Sequence, residues 1–539
     1  MATTEVGSNE VEAFEGGPIA ALLTRRPSIG LVILLAGLPA MLAGWSIMLP
    51  DIMLAEQNAV DLLFNLAGAW QFHAGRVQHV DFHEAVGPLN FLLTLAGFHL
   101  VGLSPFAFLA GALIATAALF AAAVVASVRR LPLVAAVIFV LFVCLPAAMP
   151  TNVGNMPDNF TFAMSYNRYG WGAIGILCLI LFVPPRWSRG LDRIRIDPVC
   201  GLLLLLAMFY VKITYFLVGV GALGLALLLS EHIRAQRGAW IVVGLLVMGN
   251  ALAPHSHAYL ADLWWAVESG LPNSGPRRLI LHGVLANSGE IAVYAIGLIA
   301  ACWLWRRGFA SVQLPVAAAF LIGASVMLFA QNTQMRGLPL GTVVLFALYG
   351  AALSHRILSR PALLVALLML PALTVLSAAG TFAAYAREVV SSQEMLVATD
   401  TNIHGLAVPK RWEQGAPSRS QTLYMASLLD AASLFSDGAR KPGRIQVVDR
   451  INPLPFMLGF DPPRGGDLFW ESSAPPRPVA EMLGDADYVL VPKFSTAPGL
   501  TGAAHRRFGD YLAEFFPLRE ETEQWILYSR STPRTEPAE

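Results

Sequence analysis

Long apolar runs alternate along the chain with short arginine-bearing breaks and a few longer polar segments. The first run, Ile29 to Leu49, follows Arg25 and Arg26 and, at about 20 residues, suits a helix that crosses a bilayer. Ten more runs follow at about 105–128, 132–149, 171–183, 199–211, 213–230, 239–253, 289–305, 313–330, 339–354 and 361–380. A further apolar stretch, 86–102, opens with Gly87-Pro88, and proline is at home in a helix's first turn, so a second helix of the first polar segment starts there.

Charge decides the ambiguous assignments. With 86–102 lying along the outer surface and 199–230 a helix pair turning at Lys212, alternate loops hold Arg25, Arg26, Arg129, Arg130, Arg186, Arg189, Arg193, Arg195, Arg234, Arg237, Arg306, Arg307, Arg356 and Arg360. These arginines then share the cytoplasmic side, as the positive-inside rule requires. The opposite loops carry only Arg76, Arg168, Arg277, Arg278, Arg336 and Lys212, although they are much longer. The expected layout is a cytoplasmic tail (1–28), an eleven-span membrane domain (29–383) and outer segments at 50–104, 150–170 and 254–288. After residue 384 charges, prolines and turn residues rise. Strand-like runs at Arg444–Val448, Tyr488–Pro492 and Trp525–Ser529, with a helix-like run at Ser420–Leu434, predict a soluble α/β domain over 384–539 on the outer face.

Composition agrees with a polytopic α-helical membrane protein: 56% of residues are hydrophobic, 13% charged, and the mean hydropathy is +0.58. The 36 basic residues balance 36 acidic ones, which leaves no surplus to bind nucleic acid. Cys144, Cys178, Cys200 and Cys302 lie in or beside apolar runs without metal-type spacing. No internal repeat is visible, which weighs against inverted-repeat transporters.

Candidate chemistry gathers outside. The first outer segment carries Asp51, Glu56, Asp61, His73, Arg76, His79 and Asp81-Phe82-His83-Glu84 before Gly87-Pro88-Leu89, with 51–71 expected as a short amphipathic helix on the membrane surface. Carboxylates beside histidines hold a divalent cation or take a proton, though a solvated acidic loop has the same composition. Lys212 is the only lysine before residue 384. It reads equally as a phosphate-binding group and as a lysine snorkelling at the membrane edge. Tyr166, Asn167 and Arg168 place an arginine among interfacial aromatics, and Gln331–Gly337, with Gln334 and Arg336, caps another run. His255, His257, Trp264, Trp265 and Glu268 read first as structural residues near the interface.

Asp61, Gly75, Asp81-Phe82-His83-Glu84 and Gly87-Pro88-Leu89 together resemble the first periplasmic loop of GT-C type glycosyltransferases, polytopic enzymes that use polyprenyl-phosphate sugars, such as protein mannosyltransferases and lipid A aminoarabinose transferases. Met156-Pro157-Asp158-Asn159-Phe160 is similar to the second-loop Asp motif. The chain departs from the pattern in lacking paired acids just after the first span; Asp51, Glu56 and Asp61 are spread out instead. The resemblance implies transfer of a sugar from a polyprenyl-phosphate donor to a glycan, lipid or protein acceptor at the periplasmic face of a bacterial inner membrane, with 86–102 a juxtamembrane helix. That chemistry needs a carboxylate to take the acceptor's proton and cations to steady the leaving phosphate. Asp61 is the expected base, and Asp81 and Glu84 are expected in catalysis or, with His83, as ligands of a divalent metal cofactor. His83, Asp158, Tyr166, Asn167, Arg168, Lys212, Gln334 and Arg336 are expected to bind substrate. Asp61, Asp81, His83 and Glu84 are expected to share one cavity. The rival readings are a transporter or flippase of lipid-linked saccharides and a non-catalytic envelope scaffold.

Overall fold

The computed structural model describes residues 17–55, 59–187, 195–270, 276–330, 337–354, 361–391, 394–399, 401–409, 420–436, 440–470 and 477–531. The chain is mostly helical, and each apolar run forms a helix: Ile29–Ser46, Phe106–Ser127, Leu133–Ala148, Ser165–Phe182, Ile196–Val211, Ile213–Leu229, Arg237–Leu252, Ser288–Arg306, Gln313–Ala330, Pro339–Ser354 and Pro361–Val390. Helices are the natural outcome, because an apolar segment facing lipid must satisfy every backbone group within itself. Among the described residues five helices are long and apolar enough to cross a membrane, or six if Arg237–Leu252 and Pro254–Glu268, bent by 71°, form one broken span. The 199–230 stretch does break at Lys212, whose extended backbone (φ −165°, ψ 122°) separates two helices.

Two of the arginines read as loop charges are in fact internal. Arg129 and Arg130 are buried and both meet Asp197, at 2.6 and 2.7 Å. Arg130 also donates to the carbonyls of Ile180 and Val183 at the end of Ser165–Phe182, where a helix has no amides left to satisfy them.

The first outer segment holds two helices, Ala59–His73 and Leu89–Val101. Leu89–Val101 follows Pro88 and, at 13 residues, is shorter than a span, as its surface assignment requires. The expected helix over 51–71 starts later, at Ala59, and is not a half-solvated surface element: twelve of its fifteen residues are buried. Met53–Leu54 instead forms strand β1, pairing in parallel with β3 (Leu406–Pro409), while β2 (Met395–Val397) closes the other edge of β3 antiparallel.

A second sheet runs β4 (Ile445–Val447), β5 (Tyr488–Pro492), β7 (Trp525–Ser529), β6 (Leu518–Glu521), with β4 and β5 parallel and the other pairs antiparallel. Three of these strands and the helix Gln421–Ser436 stand where the sequence pattern puts them. The C-terminal segment shares its core with the first outer segment, however. Leu62, Leu63 and Leu66 pack in one cluster with Leu454, Phe456, Met457, Leu468 and Trp525. Hydrogen bonds cross the same boundary, from Trp70 Nε1 to the Phe460 carbonyl (2.8 Å) and from the Ala59 amide to Gln421 Oε1 (2.9 Å).

Candidate functional site

Asp61 lies in the first turn of Ala59–His73, where the helix dipole favours a carboxylate. Gly75, at φ +74°, ends that helix, and the Arg76 amide returns to the Gln71 carbonyl; a left-handed residue at this point is what turns the chain back. Burial pushes the Asp61 carboxyl up to about 6, and the positive charge of Arg450, from the C-terminal segment, offsets only part of that. Such a group is poised to accept a proton near neutral pH.

A thread of buried amides leads from the Asp61 backbone to the helix start that meets Lys212. Asn65 Nδ2 donates to the Asp61 carbonyl at 2.7 Å, Asn90 Nδ2 donates to Asn65 Oδ1, and Ser165 Oγ donates to Asn90 Oδ1 at 3.2 Å. Two residues on, Asn167 Oδ1 accepts from Lys212 Nζ at 3.3 Å, and the ammonium sits over the Tyr166 ring at 5.1 Å. Gly87 makes this approach feasible: a Cβ there would stand 2.1 Å from the Tyr210 carbonyl oxygen, so only glycine lets the first outer segment pass so close to the Lys212 turn. The backbone of Asp61 is thus tied through Asn65 and Asn90 to Ser165, in the same first helical turn whose Tyr166 and Asn167 meet Lys212.

The other expected site residues go elsewhere. Asp81 accepts from the Val77 amide at 2.8 Å and faces Arg464 at 3.6 Å. Glu84 Oε1 accepts from the Ala85 and Val86 amides. His83 turns to Asp262, its Nδ1 2.9 Å from Oδ1, and its Nε2 stands 3.7 Å from Glu481. Asp81, His83 and Glu84 thus take different partners, and none of the contacts described joins them to Asp61. Asp81, His83 and Glu84 do not converge as metal ligands, and among the described residues no group of three or more His, Cys, Asp or Glu side chains is placed to hold a metal ion. The residues present do not fit the expected divalent cation.

Arg168 is 2% exposed and donates to the Thr151 carbonyl (2.9 Å) and Asn152 Oδ1 (3.2 Å), so it fastens the 150–164 loop from inside. Asp158 is exposed on that loop, and Asp51 is exposed at the end of the first helix. Gln334, Arg336 and Glu56 lie outside the described residues.

Sequence reasoning missed Asp262. It lies on the helix Pro254–Gly270, 8% exposed, and accepts from His79 Nδ1 (2.8 Å), His83 Nδ1 (2.9 Å) and Arg477 Nη2 (3.1 Å). Burial would raise its carboxyl, but the two histidine hydrogen bonds and charges outweigh burial and hold it well below the usual carboxylate range. Arg477 continues the network to Asp467 (2.8 Å) and lies over the Trp265 ring at 5.2 Å. The available signal was an acid inside Leu260-Ala261-Asp262-Leu263-Trp264-Trp265, a run otherwise apolar and aromatic.

No family model matches the chain, and no curated protein matches it. Among solved structures it is similar to ArnT from Cupriavidus metallidurans in the apo state, at 13% identity and a TM-score of 0.41 over 93% of this chain and 98% of that one. It is likewise similar to ArnT from the same organism bound to undecaprenyl phosphate, at 14% identity and a TM-score of 0.39 with the same coverage.

Proposed function

We propose that the protein is an integral membrane glycosyltransferase of GT-C type, moving a sugar from a polyprenyl-phosphate donor to an acceptor hydroxyl at the outer face of a bacterial inner membrane, with Asp61 as general base. The observation that carries this reading is the placement of Asp61: a half-buried carboxyl raised to about 6, in the first turn of a helix whose backbone at that residue is held by the Asn65–Asn90–Ser165 hydrogen bonds. In the reaction the acceptor O–H gives its proton to Asp61 while its oxygen bonds to the anomeric carbon. The bond from that carbon to the phosphate oxygen breaks, and its electron pair leaves with the lipid phosphate, inverting the sugar centre. Lys212 steadies the departing charge.

The donor's chain has a place beside that lysine. An apolar groove of about 510 Å³ between Ile213–Leu229 and Gln313–Ala330 is lined by Thr214, Leu217, Gly221, Phe320 and Met327, and it begins two residues after Lys212. Lys212→Met should weaken polyprenyl-phosphate binding by about 1.5–3 kcal/mol, the worth of a hydrogen bond to a charged group. Arg168→Met should instead lower thermal stability, since it frees a buried carbonyl. Equal donor affinity in wild type and Lys212→Met would remove Lys212 from the site.

The reading is tested with purified protein and a polyprenyl-phosphate sugar, following release of free polyprenyl phosphate and glycosylation of a hydroxyl acceptor. A flippase would move the intact lipid-linked sugar across a vesicle bilayer without breaking that bond, and a scaffold would do neither. The orientation is tested by cysteine labelling. An impermeant maleimide added to intact spheroplasts should modify Ser433→Cys, on an exposed face of the C-terminal segment, and spare Gly238→Cys, which has open space around it at the start of Arg237–Leu252. The reverse pattern would invert the topology.

A further inference from the structure

The C-terminal segment brings toward Asp61 an arginine, Arg450, that forms no ion pair within 4.0 Å among the described residues. Arg450 follows β4 and lies with its guanidinium over the Phe469 ring, 5.7 Å from the centroid. Phe469 in turn packs edge-on against Phe64 at 5.6 Å, and Phe64 stands three residues after Asp61, on the same face of Ala59–His73. Arg450 and Asp61 therefore look across one small stretch of interface, yet they form no ion pair within 4.0 Å. The Arg450 Nε is buried without a hydrogen-bond partner.

The adjacent acid feels the charge of Arg450 but makes no hydrogen bond to its guanidinium among the described residues. Asp449 Oδ1 accepts from the Ser495 hydroxyl (2.8 Å), the Thr501 hydroxyl (3.1 Å) and the Arg450 backbone amide (2.8 Å), which uses that oxygen up within the C-terminal segment. The backbone of Arg450 is fixed as well, since its carbonyl accepts from the Trp470 amide at 2.8 Å. A guanidinium held in place by an aromatic face and a pinned backbone, with no hydrogen bond from its fork among the described residues, is suited to an oxyanion of a bound reactant, because its planar donors match phosphate geometry.

We propose that Arg450 binds a phosphate group of a reactant at the Asp61 site, contributed from the C-terminal segment across the interface with the first outer segment. The inference rests on the reading of Asp61 as the reacting base. Arg450 would then add, from the C-terminal segment, a second cation to the Lys212 ammonium of the membrane helices. The phosphate that Arg450 takes comes either from the lipid donor or from a phosphorylated acceptor. The chemistry is the same in both cases, and the experiment separates the two sources.

The full-length protein in lipid nanodiscs is treated with phenylglyoxal, and modification of Arg450 is followed by peptide mass spectrometry. Arg464, 60% exposed, serves as the internal control. The probes are inorganic phosphate, polyprenyl phosphate and uncharged polyprenol. At ten times its Kd a bound phosphate should slow Arg450 modification about tenfold and leave Arg464 unaffected. Protection by polyprenyl phosphate assigns the donor, and protection by inorganic phosphate without protection by polyprenyl phosphate assigns a phosphate of the acceptor. Native mass spectrometry of Arg450→Met should show about 10- to 100-fold weaker binding of the protecting probe, with Arg450→Lys less affected. If Arg450→Met does not fold, the wild-type labelling still decides. Unprotected Arg450 while polyprenyl phosphate binds in a Lys212-dependent way overturns the proposal and leaves the donor reading standing. If polyprenyl phosphate does not bind at all, the donor reading fails, and the inorganic phosphate arm alone judges Arg450.

Discussion

Asp61→Asn is expected to lower sugar transfer by about 10²- to 10⁴-fold, the usual contribution of a positioned general base, while donor affinity changes little. The amide keeps the shape and the helix position but cannot take the acceptor's proton. The pH profile of the wild type carries the same information. Asp61 works only when ionised, and burial holds it near 6, so kcat/KM should climb through about pH 6 and level off above it. The effect on stability runs the other way. The folded carboxyl binds its proton more tightly than the unfolded one, whose reference value is 3.8. Its contribution to stability is therefore full below about pH 4, falls as pH rises through 6 and stays low beyond. Asn bears no such charge, so Asp61→Asn should melt higher than wild type at pH 8 while being nearly inactive. Gain of stability with loss of turnover marks a residue kept for chemistry. A variant that retains transfer, or a profile flat from pH 5 to 8, would remove Asp61 from the base's role.

The helices were legible because lipid-facing segments must be apolar and long, and Pro88, Lys212 and Gly75 mark breaks with backbone reasons of their own. The strands β4, β5 and β7 were legible from their β-branched and aromatic runs. What escaped was everything that depends on contacts between remote segments. Met53–Leu54 is too short to signal a strand and becomes one only because Leu406 and Ala407 lie alongside. Ala59–His73 looks like a surface helix until the C-terminal segment covers it. Asp81, His83 and Glu84 sit close in sequence, which suggested one site, but they take different partners: the Val77 amide, Asp262 and the Ala85 and Val86 amides. The amide thread through Asn65 and Asn90 was hidden for the opposite reason: single asparagines in apolar helices carry no pattern until the helices meet. Burial is what makes such a thread consequential, because each unsatisfied amide there would cost about 1–3 kcal/mol.

The largest structural effect is expected from Asp262→Ala. One carboxylate on Pro254–Gly270 accepts from His79 and His83 of the first outer segment and from Arg477 of the C-terminal segment, and the side chains involved are between 8% and 15% exposed. Its removal strips the shared acceptor from three donors at once. Breaking a buried pair by deleting one partner costs about 3–5 kcal/mol, chiefly because the remaining charge stays buried without compensation. Here the guanidinium keeps Asp467, at 2.8 Å, so the histidine side of the junction should loosen first. Hydrogen exchange should accordingly rise around 79–83 and along 254–270, with a smaller rise near 477–483. Asp262→Asn keeps one acceptor oxygen and should fall between alanine and wild type. The pH dependence has a definite sign. Because the folded carboxyl lies well below its unfolded reference of 3.8, Asp262 contributes its full stabilisation above about pH 4 and loses it only as pH falls through the folded value. The melting gap between wild type and Asp262→Ala should thus narrow in strong acid. Equal melting and unchanged exchange at 79–83 would mean that the three segments are held together by their apolar core alone.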